Sequence, residues 1–277
     1  MSERRSEAGG RRDAPPGQLP RLLVVPALLG IAMLAAPIAA FGWRLEWATI
    51  WSDLTSPDAL EALGLSALTA LTATAVCLVI GVPLALWIVR APRWLGGALR
   101  AVAAIPLLMP PLVGGLALLA LLGPDGALGG VLGEAGVSLP STAAAVVVAQ
   151  IFVALPFVVF AAENPLRAHG AGPESAAAGL GAGRWRILFR VTLPLAAPGI
   201  VVGAVLCFVR AAGEFGATAL FAGDAPGATR TAPLAVYDAF AGSGGGQGAA
   251  ATLALLLIVL AIATLVLVRA WRPGAVR

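Results

Sequence analysis

Arg210 and Glu214 stand four residues apart inside an otherwise apolar stretch, a spacing that puts both on one face of a helix. Charges in a membrane-length apolar segment are expensive, so such a pair either neutralises itself or serves a polar path. No nucleophile or metal-ligating group accompanies it, which leaves acid/base catalysis without partners. His169 is the only histidine and sits in a hydrophilic stretch, too little for a His-based metal cluster or a Ser/His/Asp triad. Cys77 and Cys207 lie in separate apolar runs without the spacing of a metal or redox motif, and are expected to be buried, inert thiols. Lysine is absent, so all eighteen cations are Arg and the lysine a P-loop needs to hold terminal phosphates is missing. Neither cofactor nor metal is expected, and ATP hydrolysis by this chain has no residue to carry it.

A second group of residues is built for contact rather than catalysis. Gly172-Pro173-Glu174-Ser175-Ala176-Ala177-Ala178-Gly179-Leu180-Gly181 reads as one short, capped helix. Pro173 suits the first turn, Glu174 complements the positive end of the helix dipole, the alanines are strong formers, and Gly181 can take the left-handed C-terminal position. Eight helical residues span about 12 Å, enough to fill a groove on a partner and too few to fold alone.

The elements that must position these residues are membrane spans. With 59% hydrophobic and 12% charged residues in 277, the chain holds more apolar matter than one soluble core of this length buries. The apolar residues gather into segments of the length a bilayer demands, about 20 residues. Six are expected: 22–42, 62–89, 101–123, 143–162, 195 to about 222, and 249–268. The first is too long for a signal-peptide core and lacks a convincing cleavage site, so it is read as an uncleaved span. Arg-rich segments at the N-terminal tail, 90–100, 167–190 and 269–277 alternate with acidic or neutral loops, which by the positive-inside rule places both termini in the cytoplasm. The expected organisation is a disordered tail at 1–21, a membrane domain at 22–268 with a cytoplasmic loop at 165–190, and a tail at 269–277. The net charge of +4 reports topology, and no nucleic-acid partner is implied.

Prolines recur within the spans, and each removes a backbone donor and bends or interrupts a helix. Pro106, Pro110 and Pro111, followed by Gly114 and Gly115, mark the third span as bent and closely packed, as a pore-lining element would be. Glu214 stands as the one clearly intramembrane acid.

Glu174, Ala177, Gly181, Val191, Leu193 and Pro194 resemble the cytoplasmic "EAA" loop of ABC-importer permeases: a Glu-Ala-Ala start, Gly, nine residues, then Ile-x-Leu-Pro. Here Ser175 replaces the first Ala of that start, Ala176 and Ala177 follow it, and Val191 replaces Ile. The resemblance extends to nearly the whole membrane region. Gly81-Val82-Pro83-Leu84-Ala85, Ile105 to Pro111, and Arg210-Ala211-Ala212-Gly213-Glu214-Phe215-Gly216-Ala217-Thr218 are similar to the molybdate and sulfate branch, the last closer to molybdate permeases. Asp224 stands where Asn is usual. The resemblance implies an all-α type I ABC importer permease with six transmembrane helices and a short coupling helix. It further implies a homodimer in the plasma membrane with its path at the subunit interface, separate cytoplasmic ATPase subunits, and an extracytoplasmic oxyanion-binding protein. Glu174, Ala176, Ala177, Gly181, Leu193 and Pro194 would couple to the ATPase, and Pro106, Pro110, Pro111, Arg210, Glu214 and Phe215 would line the path or its gate.

The expected function is import of molybdate or tungstate by alternating access. Sulfate or thiosulfate import is the alternative. A passive channel or secondary transporter would need no coupling helix, and an intramembrane enzyme would have to work with Arg210 and Glu214 alone.

Overall fold

A computed structural model describes residues 21–43, 45–242 and 247–270, and every regular element among them is helical. The expected tails therefore lie outside the described residues, save Arg21, Arg269 and Ala270. Helix α1 (Arg21–Trp43) belongs to a unit of its own and carries no charge after Arg21, with Pro26 and Pro37 inside it. The second unit, from Glu46 on, starts with the short α2 (Ile50–Leu54) and the long α3 (Pro57–Arg90). Ser56 caps α3 by accepting from the Ala59 N–H, with Pro57 in the first turn.

The third expected span is not a single helix. Helices α4 (Arg93–Leu108) and α5 (Pro111–Leu122) meet at a bend of 113°. Met109 and Pro110 are extended, with ψ of 133° and 134°, because each precedes a proline, and Pro111 then opens α5 at a position that needs no N–H. At helical rise α4 is about 24 Å and α5 about 18 Å long, so neither crosses a hydrocarbon core of about 30 Å alone. Among the described residues five helices are long and apolar enough to cross, and six if the bent pair is one span. Together they define a multi-pass membrane protein.

After α6 (Gly129–Glu134), α7 (Ala143–His169) begins at a Thr142 cap and continues seven residues past the expected end of its span, through Glu163 and Pro165. The loop expected at 165–190 is accordingly shorter and itself helical, with α8 (Gly172–Gly179) and α9 (Arg184–Ile187). A π-helical turn, Leu188–Thr192, leads into α10 (Leu193–Ala212). The fifth span breaks at Gly213–Phe215 before α11 (Gly216–Phe221), and α12 (Ala232–Ala241) and α13 (Gln247–Ala270) are the last elements among the described residues.

Helices α3, α7 and α10 form the centre of this unit. Their shared core is made of small residues, including Ala70, Ala73, Cys77, Ala154, Cys207 and Ala211, so the backbones approach closely. A Cβ on Gly203 would lie 3.0 Å from the Cα of Val158. Polar pairs add cross-links where no water competes: Gln150 Nε2 donates to Thr69 Oγ1 at 3.1 Å, and Ser66 Oγ accepts from the Ala232 N–H at 2.7 Å. Both cysteines are free and buried.

Candidate functional site

Helix α8 is closed at its C-terminus by a Schellman motif: the Ala182 N–H donates to Ala177 O at 3.0 Å and the Gly181 N–H to Ala178 O at 2.9 Å. The motif needs a left-handed residue, and Gly181 supplies it at φ +84°. At the other end Pro173 occupies the first turn, and Glu174 follows. The carboxylate of Glu174 does more than face the helix dipole. Its Oε1 accepts from Arg90 Nη2 at 2.7 Å and from Thr192 Oγ1 at 2.6 Å. Arg90 is the last residue of α3, and the buried Thr192 is the last of the π-helical turn. One oxygen therefore ties the short helix to the ends of two spanning helices.

Cavities of about 510 and 640 Å³ flank this clasp; Arg90, Glu174 and Thr192 line both, with Arg167 and His169 in the first and Arg184 and Trp185 in the second. Of the other residues expected on this loop, Ala176 and Pro194 are exposed, while Ala177 and Leu193 are half-buried. Leu180, Trp185 and Phe189 are 90%, 73% and 61% exposed, with the two rings stacked at 5.9 Å between centroids. Sequence reasoning missed these three and also Arg90, which it took for a topological charge. The signal lay in the aromatic pair at i, i+4 within an Arg-rich loop, a pattern that places large apolar groups on one face.

Arg210 Nη1 and Glu214 Oε2 are 2.6 Å apart, and Glu214 is 1% exposed. The second carboxylate oxygen, Oε1, accepts from the Ala217 N–H at 2.8 Å, so both oxygens of the buried acid have partners. This junction packs against the start of α5. A Cβ on Gly216 would lie 2.7 Å from Pro111 Cβ, and one on Gly115 would lie 2.9 Å from Ala217 O. Pro111 thus meets Gly216, which directly follows Glu214 and Phe215 in the chain, where two broken helices touch, with Pro110 just before. Pro106 lies within α4, ahead of the bend. The Phe215 ring also tilts against Tyr237 at 4.9 Å. The junction and the Glu174 clasp lie near opposite ends of α10, about 27 Å apart along its axis at 1.5 Å per residue.

Glu214 is not the only buried acid. Glu163 of α7 is 1% exposed and faces Arg167 and Arg100, with Nε–Oε distances of 2.5 and 3.5 Å. Glu163 lies one residue past the expected end of the span at 162 and before the loop expected from 165, and the sequence reading does not include it among the site residues. Among the described residues no cluster of His, Cys, Asp and Glu has the arrangement of a metal site.

The described residues thus form a membrane bundle that offers a clasped, partly exposed short helix beside the ends of two spanning helices. Residues 77–275 match the family of binding-protein-dependent transport system inner membrane components, and the chain belongs to that family. It is 46% identical over 223 residues, 80% of this chain and 84% of the relative, to the molybdenum transport system permease protein ModB of Mycobacterium tuberculosis. The corresponding permease of Azotobacter vinelandii is 41% identical over 180 residues, 65% of this chain and 80% of that one. Among solved structures, a bacterial ABC transporter involved in the import of the acidic polysaccharide alginate shares the fold at TM-score 0.63 and 17% identity, covering 91% of this chain and 95% of that chain. The MetNI methionine ABC transporter, in an inward-facing conformation, matches at TM-score 0.54 and 22% identity, covering 78% and 99%. The chain is an ABC-importer permease subunit of the type I fold.

Proposed function

We propose that this chain forms the membrane path of an importer for tetrahedral oxyanions of the molybdate class, energised by a separate ATPase that docks on α8. The observation that carries the coupling half is the double hydrogen bond at Glu174 Oε1, which makes α8 a lever on the ends of α3 and α10. A partner that moves α8 moves two spanning helices with it. Ala176, Ala177 and Gly181 shape the helix offered to the partner, Leu180, Trp185 and Phe189 add apolar contact, and Leu193 and Pro194 begin the helix that receives the movement. The substrate half rests on similarity to permeases named for molybdenum transport.

In this reading two copies pair across the path, both termini and α8 face the cytoplasm, and an extracytoplasmic binding protein delivers the anion. Selectivity belongs largely to that protein, since tight binding inside the conduit slows release. The Arg210–Glu214 junction, with Pro110, Pro111 and Phe215, forms the gate region, and Pro106 adds a bend in the helix leading to it. ATP and substrate each shift the conduit only by favouring one of its states over the other. ATP hydrolysis belongs to the partner subunit.

The test is labelled molybdate uptake into proteoliposomes carrying permease, ATPase and binding protein, with each component left out in turn. Uptake that requires all three and ATP is expected. Uptake by the permease alone, driven only by the anion gradient, is the outcome that contradicts the proposal.

A further inference from the structure

We propose that Glu163 is a positioning residue for transport, the joint through which movement at α8 reaches the bent pair α4–α5, with Arg100 as a partner it holds more tightly in one transport state than in the other. This rests on the reading of α8 as the ATPase contact. Glu163 is buried six residues before the end of α7, on the side of the molecule where α8 follows. Its two oxygens are served unequally. Oε1 accepts a hydrogen bond from Arg167 Nε one turn along the same helix, while Oε2 is buried with no hydrogen bond and has the Arg100 guanidinium of α4 at 3.5 Å.

A fully buried carboxylate oxygen that lacks a hydrogen bond is costly. The group able to relieve it is already beside it: a displacement of Arg100 by under an ångström reaches ordinary charge-assisted distance, about 2.8 Å. Arg100 is held to α7 by a second contact, its guanidinium carbon 5.7 Å above the Phe160 ring, one turn before Glu163. It stays near the acid while leaving room for the distance to change.

The two arginines face different machinery. Arg167 lines the cavity that also contains Arg90, Glu174 and Thr192. Arg100 belongs to α4, which turns through 113° into α5, and α5 packs against the junction at Gly216 and Ala217. Through its two arginines Glu163 therefore adjoins both the cavity beside the clasp and the helix that turns into α5. Its two guanidinia are about half exposed, so the Arg100 pairing is open to rearrangement while the acid stays buried.

The experiment compares labelled molybdate imported per ATP hydrolysed in proteoliposomes of the full complex for the native permease, Glu163→Gln, Glu163→Asp, Arg100→Gln and Glu174→Ala. ATPase co-purification and permease thermal stability are measured alongside. Glu163→Gln and Arg100→Gln are expected to retain the ATPase yet consume at least about fivefold more ATP per anion, the lower end of coupling between distant sites. Glu163→Asp, which keeps the charge, recovers part of the ratio. If Glu163→Gln does not fold, Arg100→Gln decides, because it leaves the Arg167 pair in place. An unchanged ratio in Arg100→Gln overturns the Glu163 proposal even when Glu174→Ala is defective. Native ATPase binding and uptake in Glu174→Ala overturn instead the α8 reading on which it rests.

Discussion

Arg90 and Glu174, 84 residues apart in the chain, meet at 2.7 Å and join the end of a spanning helix to the short helix α8. Arg90 is 46% and Glu174 28% exposed at the side chain, so the pair adds at most about 1 kcal/mol to stability. Its consequence is mechanical. Glu174→Ala and Arg90→Ala are both expected to leave membrane abundance and melting temperature near native while uptake falls at least tenfold, on the order of the loss of one 1.4 kcal/mol coupling contact. Uptake at equal membrane abundance, with ATPase co-purification, checks this. Normal uptake in both variants contradicts the clasp.

Gly181 is constrained by its backbone and not by space: φ is +84°, and a Cβ would meet nothing within 4 Å. Gly181→Ala should therefore impair coupling nearly as much as Gly181→Arg, at about 1–2 kcal/mol for forcing an L-residue into the left-handed region. Gly181→Asn should be milder, since Asn tolerates that region best. ATPase affinity measured across the three variants distinguishes strain from bulk, and a loss confined to Arg points to bulk.

Glu214 is buried and Arg210 is its one cationic partner among the described residues, which makes the single and double substitutions unequal. Arg210→Ala leaves an uncompensated buried acid, a change of about 3–5 kcal/mol, whereas Arg210→Ala with Glu214→Ala removes both charges. The double variant should recover part of the folded fraction in detergent. A double variant as unstable as the single, or worse, shows that Glu214 does not depend on Arg210.

The contact between α5 and α11 gives a stability test with an internal control. At Gly115 a Cβ would lie 2.9 Å from a backbone oxygen, which cannot yield as a side chain would, so Gly115→Val is expected to destabilise by about 1–3 kcal/mol. Gly97, inside α4, has nothing within 4 Å of its Cβ position, and Gly97→Ala should be neutral or stabilising by up to about 1 kcal/mol. Thermal melts of the two variants in the same detergent settle the comparison.

The spans were legible because hydropathy and length act locally, and α8 because Pro173, Glu174 and Gly181 each mark a helix boundary by their own chemistry. Pro110 and Pro111 announced a break in the third span, but a proline fixes only its own φ and its neighbour's conformation. The size of the bend, 113°, is not written in those two residues, and neither is the close contact of α5 with α11 at Gly115 and Gly216. Glu163 escaped notice because its partner Arg100 lies on another helix and because α7 continues through Pro165, past the expected end of the span. Arg90 and Thr192 were in plain view yet mute, since a clasp among three separate elements leaves no spacing in the sequence. The Arg210–Glu214 contact was readable because both partners share one helical face.

The most direct test of the central claim is competition for labelled molybdate uptake in proteoliposomes containing this permease, its ATPase and its binding protein. Tungstate, a tetrahedral dianion of the same class, is expected to compete, and equimolar sulfate is not. Uptake of sulfate with no uptake of molybdate would contradict the assignment of this path to the molybdate class.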